Sequence, residues 1–192
     1  MADFELMKNI ILYAEENAIP IIQKPALDFL LKTIKENNIK TVLEIGTAIG
    51  YSAINMALAG CDVYSIERDF ERYSTAFDNV KNFNLEKKIT LIFQDALLYN
   101  TSKQFDLLFI DGAKAQNIAF LEQYRHCLKP GSFVFVDNIN FHDLTYNKCK
   151  LSRDLNQLTR KIRRYVDYIK QDTTFETQFF DIGDGIALSK LL

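Results

Sequence analysis

Two aspartates, a lysine and an asparagine carry the densest chemistry in this 192-residue chain. Asp111 follows the apolar run Leu107–Ile110, and Asp137 with Asn138 follows Phe133–Val136. Both runs read as strands of one sheet, whose neighbouring strand ends lie about 5 Å apart, so the three side chains can converge. Two carboxylates and an amide oxygen form an oxygen-only donor set. Such a set suits Mg²⁺, with water and substrate completing the shell, and does not suit zinc. Aspartate at a strand end also caps the following segment, which is the alternative for each residue taken alone. Lys114 stands three positions beyond Asp111. Beside a dication its charged form is disfavoured, which fits a base for an acceptor hydroxyl; a solvated loop lysine is the alternative. His126 reads as a surface or C-terminal helix residue, and His142, just past Asn138, as structural in its loop, with an approach to substrate as the alternative.

A second constellation lies earlier. The run Thr41–Ile45 enters Gly46-Thr47-Ala48-Ile49-Gly50 and then a helix, while Glu67 ends the next strand, 21 positions after Gly46. Open α/β sheets bind ligands at the carboxyl ends of their strands, where helix starts offer N–H groups and an acid can accept from ribose hydroxyls. A dinucleotide site wants G-x-G-x-x-G, which this loop lacks. Glu44, two residues before Gly46, repels a pyrophosphate and attracts an ammonium. S-adenosylmethionine has an ammonium, a sulfonium and no phosphate. The alternative is that Gly46 and Gly50 merely serve a tight turn, and Tyr51 reads equally as a cofactor neighbour or as core.

The elements that must position these residues follow from periodicity. Asp3 is placed to cap a first helix with Leu6, Ile10 and Tyr13 on one face, and Pro25 suits the first turn of a second, carrying Leu27, Leu30, Leu31 and Ile34. Short apolar runs then recur at Thr41–Ile45, Val63–Ile66, Ile89–Phe93, Leu107–Ile110 and Phe133–Val136, separated by helical stretches over Tyr51–Ala59, Phe70–Phe83 and Gln116–Leu128. This alternation predicts a parallel sheet covered on both faces. Leu151, Leu155, Leu158, Ile162, Val166 and Ile169 then mark a long amphipathic helix. A hairpin closes the chain, Thr173–Ile182 and Ile186–Ser189 around Gly183-Asp184-Gly185, and puts one reversed strand in the sheet. The expectation is a single domain over 1–192, with a helical extension (1–38) on an α/β core (39–192).

Composition agrees with a globular protein: 48% hydrophobic and 25% charged residues, 7 Gly and 3 Pro. No apolar run reaches the roughly 18 residues of a membrane helix, and no signal peptide is evident at the start. Three widely spaced cysteines form neither a disulfide framework nor a zinc motif, so a cytoplasmic location is expected. The net charge of −2 hides an asymmetry. From Thr145 to Asp172 eight basic residues face three acids, a local +5 on a body of −7. Such a patch can still find a polyanion.

The segment Val42-Leu43-Glu44-Ile45-Gly46-Thr47-Ala48-Ile49-Gly50-Tyr51-Ser52 resembles the first motif of class I S-adenosylmethionine-dependent methyltransferases. More narrowly it resembles the metal-dependent O-methyltransferases related to catechol and caffeoyl-CoA methyltransferases. The similarity continues through Ile66-Glu67, Asp95-Ala96, Phe109–Lys114, Val136-Asp137-Asn138 and Ile182–Gly185, over most of the chain. It implies a Rossmann-like fold, a seven-stranded sheet that is mostly parallel with one antiparallel strand. It also implies that Glu44, Gly46 and Ser52 hold the methionine part of S-adenosylmethionine, that Glu67 holds the ribose, and that Asp95 and Ala96 read the adenine. Gln94 stands where the family often has glycine. Asp111, Asp137 and Asn138 become the Mg²⁺ ligands, Asp111 also borders the cofactor, and Lys114 is the base. A homodimer is implied as well.

Within the family, the bacterial enzymes that methylate 5-hydroxyuridine at the tRNA wobble position are similar in Glu44–Ser52, Val136–Asn138 and the terminal Ile-Gly-Asp-Gly. The expected substrate is therefore a tRNA anticodon loop, docked on Lys148, Lys150, Arg153, Arg160 and Arg164, the three arginines sharing a helical face by their spacing. A small catechol or phenol as acceptor is the alternative, and a catalytically silent RNA- or cofactor-binding protein is an alternative of another class.

Overall fold

The computed structural model describes residues 2–139 and 153–192. His142, Lys148 and Lys150 lie outside these residues. Seven strands form one sheet: β1 (Thr41–Ile45), β2 (Asp62–Glu67), β3 (Ile89–Phe93), β4 (Phe105–Ile110), β5 (Leu128–Asp137), β6 (Phe175–Phe180) and β7 (Ile186–Leu191). Their order is β3-β2-β1-β4-β5-β7-β6. β1 to β5 run parallel, and β7 pairs antiparallel with both β5 and β6, the single reversal expected of a terminal hairpin. Val42, Leu43, Glu44 and Ile45 are all buried, because helices cover both sheet faces and leave no solvated side to alternate with.

Two apolar layers result. On one face α1 (Ala2–Glu16), α2 (Lys24–Glu36), α3 (Tyr51–Leu58) and α4 (Phe70–Asn82) contribute Ile10, Leu30, Ile54 and Val80 to a cluster with Phe109 and Phe135. On the other, α5 (Asn117–Tyr124) and α6 (Arg153–Gln171) bury Phe120, Tyr124 and Tyr165 against Leu43, Leu108 and Val134. Phe29 of α2 stacks at 4.5 Å on Phe180, so the N-terminal helices share the core of the sheet.

Two sequence expectations shift. Asp3 sits inside the first turn of α1 and not at its cap, where its charge still favours the N-terminal end of the helix dipole. The expected helix Gln116–Leu128 is interrupted: a 3₁₀ turn over Lys114–Gln116 precedes α5, a second over Arg125–Cys127 follows it, and Leu128 already belongs to β5. Further along, Pro130 and Gly131 (φ +90°) lie in an irregularity of the β4–β5 ladder, where Phe105 faces Leu128 but Leu107 faces Phe133.

Strand order reverses between β1 and β4, the place where open α/β sheets bind ligands. β1 runs into the Gly46 loop there, and β4 runs into Asp111.

Candidate active site

Asp111 follows β4 at once and Asp137 ends β5, so the Ile110–Val136 pairing places the two aspartates at adjacent strand ends. Asn138 adopts φ +64°, and its N–H donates to Asp137 Oδ1 at 2.8 Å. This left-handed backbone turns the chain back immediately after the strand, and the N–H of Ile139 then donates to the Gly185 carbonyl at 3.0 Å. Burial, with the neighbouring Asp137 carboxylate adding to it, pushes the Asp111 carboxyl up to about 8. Burial raises Asp137 to about 6, against the Asn138 N–H. Burial also lowers Lys114, opposed by the charges of Asp111, Asp137 and Asp184. Asp111, which holds its proton at neutral pH, is poised to lose it to a cation. Among the described residues no three His, Cys, Asp or Glu side chains cluster as a ligand cage. A cation at this strand end would therefore take the two carboxylates and the Asn138 amide, a hard oxygen set that fits Mg²⁺.

The Gly46 loop is held by sterics as much as by ligand needs. Gly46 has φ +99°, and a Cβ there would lie 2.7 Å from the Asp111 carbonyl oxygen. The close approach that glycine permits is thus to the backbone after β4. Behind the loop, Glu44 is fully buried and accepts hydrogen bonds from Ser52 on one oxygen and Ser65 on the other. Thr47 Oγ1 and Ser65 Oγ lie 2.5 Å apart, which extends the chain of hydroxyls. Burial raises the Glu44 carboxyl to about 7, against those two donors. Thr47 and Ser65 were not singled out by sequence; Ser65 reaches Glu44 through the pairing of β1 with β2.

Glu67 is preorganised. One oxygen accepts from the Ala48 N–H and the other from the N–H groups of Arg68 and Asp69, each at 2.9 Å. Asp95 accepts from the Leu97 N–H at 2.8 Å and lies 3.7 Å from Arg68.

Two cavities meet at this end of the sheet. One of about 310 Å³ is lined by Gly46, Glu67, Asp111, Lys114 and Asn138, with Pro20 and Ile21 from the N-terminal segment and Arg68 and Arg72 from α4 and the loop before it. A narrow cleft of about 50 Å³ carries Glu67, Asp95, Ala96 and Phe120. The structure so brings the expected cofactor and metal residues together at the strand ends, with Glu44, Ser52 and Asp137 buried close behind; the expected RNA-binding arginines on α6 are not among them. A wider apolar groove of about 1020 Å³ lies between α1 and α2; it holds none of the expected catalytic or cofactor residues, and Tyr51 borders it. Arg160 and Arg164 are exposed on α6, whose first residue is Arg153. His126 is exposed, with Nε2 3.1 Å from the Thr101 carbonyl. Pro20, Ile21, Arg68 and Arg72, which line the cavity, are further residues that sequence reasoning passed over.

The profile of the O-methyltransferase family matches residues 3–192. A caffeoyl-CoA O-methyltransferase from Populus kitakamiensis is 26% identical over 187 residues, covering 91% of this chain and 78% of its own. The crystal structure of a caffeoyl-CoA O-methyltransferase-like protein from Staphylococcus aureus superposes with a TM-score of 0.93 at 33% identity, over 97% of this chain and 92% of that one. An O-methyltransferase from Bacillus cereus, solved in complex with SAH, shares the fold with a TM-score of 0.85 at 20% identity, over 98% and 91%.

Proposed function

The chain belongs to the O-methyltransferase family, and from that premise we propose that it methylates a hydroxyl of a small catechol or phenol, using S-adenosylmethionine and Mg²⁺. The observation that carries this reading is the shared cavity: Glu67, Asp111, Lys114 and Asn138 line one space at the switch point of the sheet. The names of the poplar and staphylococcal relatives point to phenolic acceptors, and the Bacillus cereus relative was solved with SAH.

When bound, the cofactor supplies a methyl group on a sulfonium, and the cation supplies acidity to an oxygen acceptor. The chain's own residues do the rest. Glu67, its carboxylate fixed by three N–H groups, receives the ribose hydroxyls. Asp95 and Ala96 bound the cleft that takes the adenine. Ser52 and Glu44 hold the ammonium end from behind the Gly46 loop. Asp111, Asp137 and Asn138 present the hard oxygens. Lys114, with its charge disfavoured by burial, takes the acceptor proton. Orientation of a nucleophile against the methyl carbon then lowers the barrier to transfer.

The test is methylation of catechol and caffeate-type acceptors by purified protein, followed by mass spectrometry. Chelator should abolish turnover and Mg²⁺ restore it. Lys114→Ala should cut kcat about a hundredfold or more, from the low end of a general-base contribution upward, with cofactor affinity little changed. Full activity in excess chelator removes the cation from the mechanism.

A second reading is favoured by one feature. Arg160, Lys161 and Arg164 are exposed on α6, and α6 packs against the 3₁₀ turn that carries Lys114. A tRNA anticodon loop docked on this ridge would bring a wobble 5-hydroxyuridine to the same cavity. Nucleoside mass spectrometry of tRNA from cells with and without the gene decides between them: loss of 5-methoxyuridine supports the RNA acceptor, and unchanged tRNA leaves the small phenol.

A further inference from the structure

Residues 17–23, between α1 and α2, contribute no catalytic group, yet Pro20 and Ile21 line the same cavity as Asp111, Lys114 and Asn138. This strap is held at its start by the Ile19 N–H on the Ala14 carbonyl at 2.9 Å and at its middle by buried Ile22. At its end, Gln23 Nε2 donates to Asp184 Oδ2 at 3.0 Å, across 161 positions of sequence. Asp184 sits in the β6–β7 turn. That turn is shaped for the contact. Gly183 has φ +58°, and a Cβ there would meet Gln23 Oε1 at 3.3 Å and Ala26 Cβ at 3.6 Å. On its other side the turn accepts the Ile139 N–H at the Gly185 carbonyl, directly after Asn138. One turn thus ties the strap to the strand end that carries Asp137 and Asn138, and the charge of Asp184 is felt by both Lys114 and Asp137.

We propose that Gln23 and Asp184 form a clasp that fixes the Pro20–Ile21 strap on the acceptor cavity and makes both residues positioning residues for acceptor selection. An apolar wall can discriminate acceptors by shape only while it stays in place. Its side-chain tether to the hairpin, from Gln23 to Asp184, is a hydrogen bond to a charged group. The acceptor part of this inference rests on the methyltransferase reading above; the clasp itself does not.

The experiment compares wild type with Gln23→Ala, Gln23→Glu and Gln23→Lys. Hydrogen exchange of peptides covering 17–23 and 181–186 is measured on all four. Acceptor KM, kcat and cofactor affinity are measured with catechol and with a bulkier caffeoyl acceptor. Gln23→Ala should speed exchange in both peptides and raise acceptor KM roughly three- to tenfold, the scale of one solvent-exposed hydrogen bond. Preference between the two acceptors should shrink, while kcat and cofactor affinity stay within about twofold. Gln23→Glu sets two carboxylates against each other and should be worse than alanine. Gln23→Lys keeps a donor and should return KM toward wild type, a rescue that loss of general stability would not give. Unchanged exchange at 181–186 in both Gln23→Ala and Gln23→Glu overturns the clasp. Faster exchange with unchanged acceptor KM and preference overturns its role in selection. If wild type methylates no phenol, the methyltransferase reading for small acceptors fails instead, and exchange alone decides whether the clasp exists.

Discussion

Glu44 is buried with both carboxylate oxygens on hydroxyls, Ser52 on α3 and Ser65 on β2. A carboxylate so enclosed keeps its charge only through such donors, so Ser65 acts on whatever Glu44 holds. Ser65→Ala should weaken S-adenosylmethionine binding about tenfold in calorimetry, the cost of one hydrogen bond to a charged group. Ser65→Thr, which keeps the hydroxyl, should bind like wild type; an alanine variant with unaltered affinity would separate Ser65 from the cofactor. The raised carboxyls have a second consequence. Asp111 titrates near 8 in the fold and near 3.8 when exposed, so the folded state holds the extra proton between those limits. Where the native state binds more protons, stability falls as pH rises. Without cation, Asp111→Asn should therefore melt higher than wild type at pH 8, and the gap should close toward pH 4. Added Mg²⁺ should raise the wild-type melting point most at high pH and that of Asp111→Asn least. A pH-independent gap would mean that Asp111 is not the strained group. The identities of Glu44, Asp111 and Asp137 were legible because acids at strand ends stand out in apolar sequence. Ser65 was not, since only the β1–β2 pairing brings it to Glu44, and Thr47 joins through its contact with Ser65.

Thr41–Ile45 and Ile89–Phe93 were readable to the residue as short apolar runs, while β5, expected over Phe133–Val136, extends back to Leu128. The stretch after Lys114 was not, because its helical periodicity carries no mark of where 3₁₀ geometry takes over; Pro130 and Gly131 mark only the irregularity in β5. The reversed strand was legible from the Gly183-Asp184-Gly185 turn, but the contact of that turn with α2 was not, since nothing local relates Gln23 to Asp184. Loop geometry at β1 gives a prediction at this scale. A Cβ at Gly46 would press on backbone, on the Asp111 carbonyl carbon at 2.9 Å as well as its oxygen, and backbone cannot rotate away as a side chain can. Gly46 also holds φ +99°, which an L side chain resists. Gly46→Ala should destabilise by about 2 kcal/mol or more, the combined scale of strain and overpacking. It should also displace Asp111, so Mg²⁺ response should fall more than stability alone explains. Gly60, with φ +102° and open space around it, is the control: Gly60→Ala carries the strain without the clash. Equal losses at the two positions would show that conformation, and not the approach to β4, is what Gly46 supplies.

At the scale of the whole molecule, apolar surface and charge are unevenly spread. Phe4 is 76% exposed, Leu12 43% and Tyr13 43%, all on α1, and Phe4 and Leu12 border the groove of about 1020 Å³ between α1 and α2. A monomer seldom leaves a patch of this kind to water. Both charge signs stand on its rim, Lys8 and Lys24 with Glu15 and Asp28. A two-fold contact places each patch against its own copy, so mixed charge makes a surface self-complementary where a single sign would repel. These features support a homodimer through α1 and α2. The expected result is a dimer mass by light scattering at micromolar concentration, and a monomer for Phe4→Asp combined with Leu12→Asp. Far-ultraviolet circular dichroism should stay the same, since neither side chain is buried. The groove adjoins the cavity through Pro20 and Ile21, which line both, so the dimer would brace the strap from behind. The monomeric variant should then show a higher acceptor KM with cofactor affinity unchanged. A wild-type monomer at micromolar concentration would leave the exposed face of α1 without this occupant. A dimer that persists in the double variant would place the interface elsewhere, and the basic face of α6 would be the next surface to mutate.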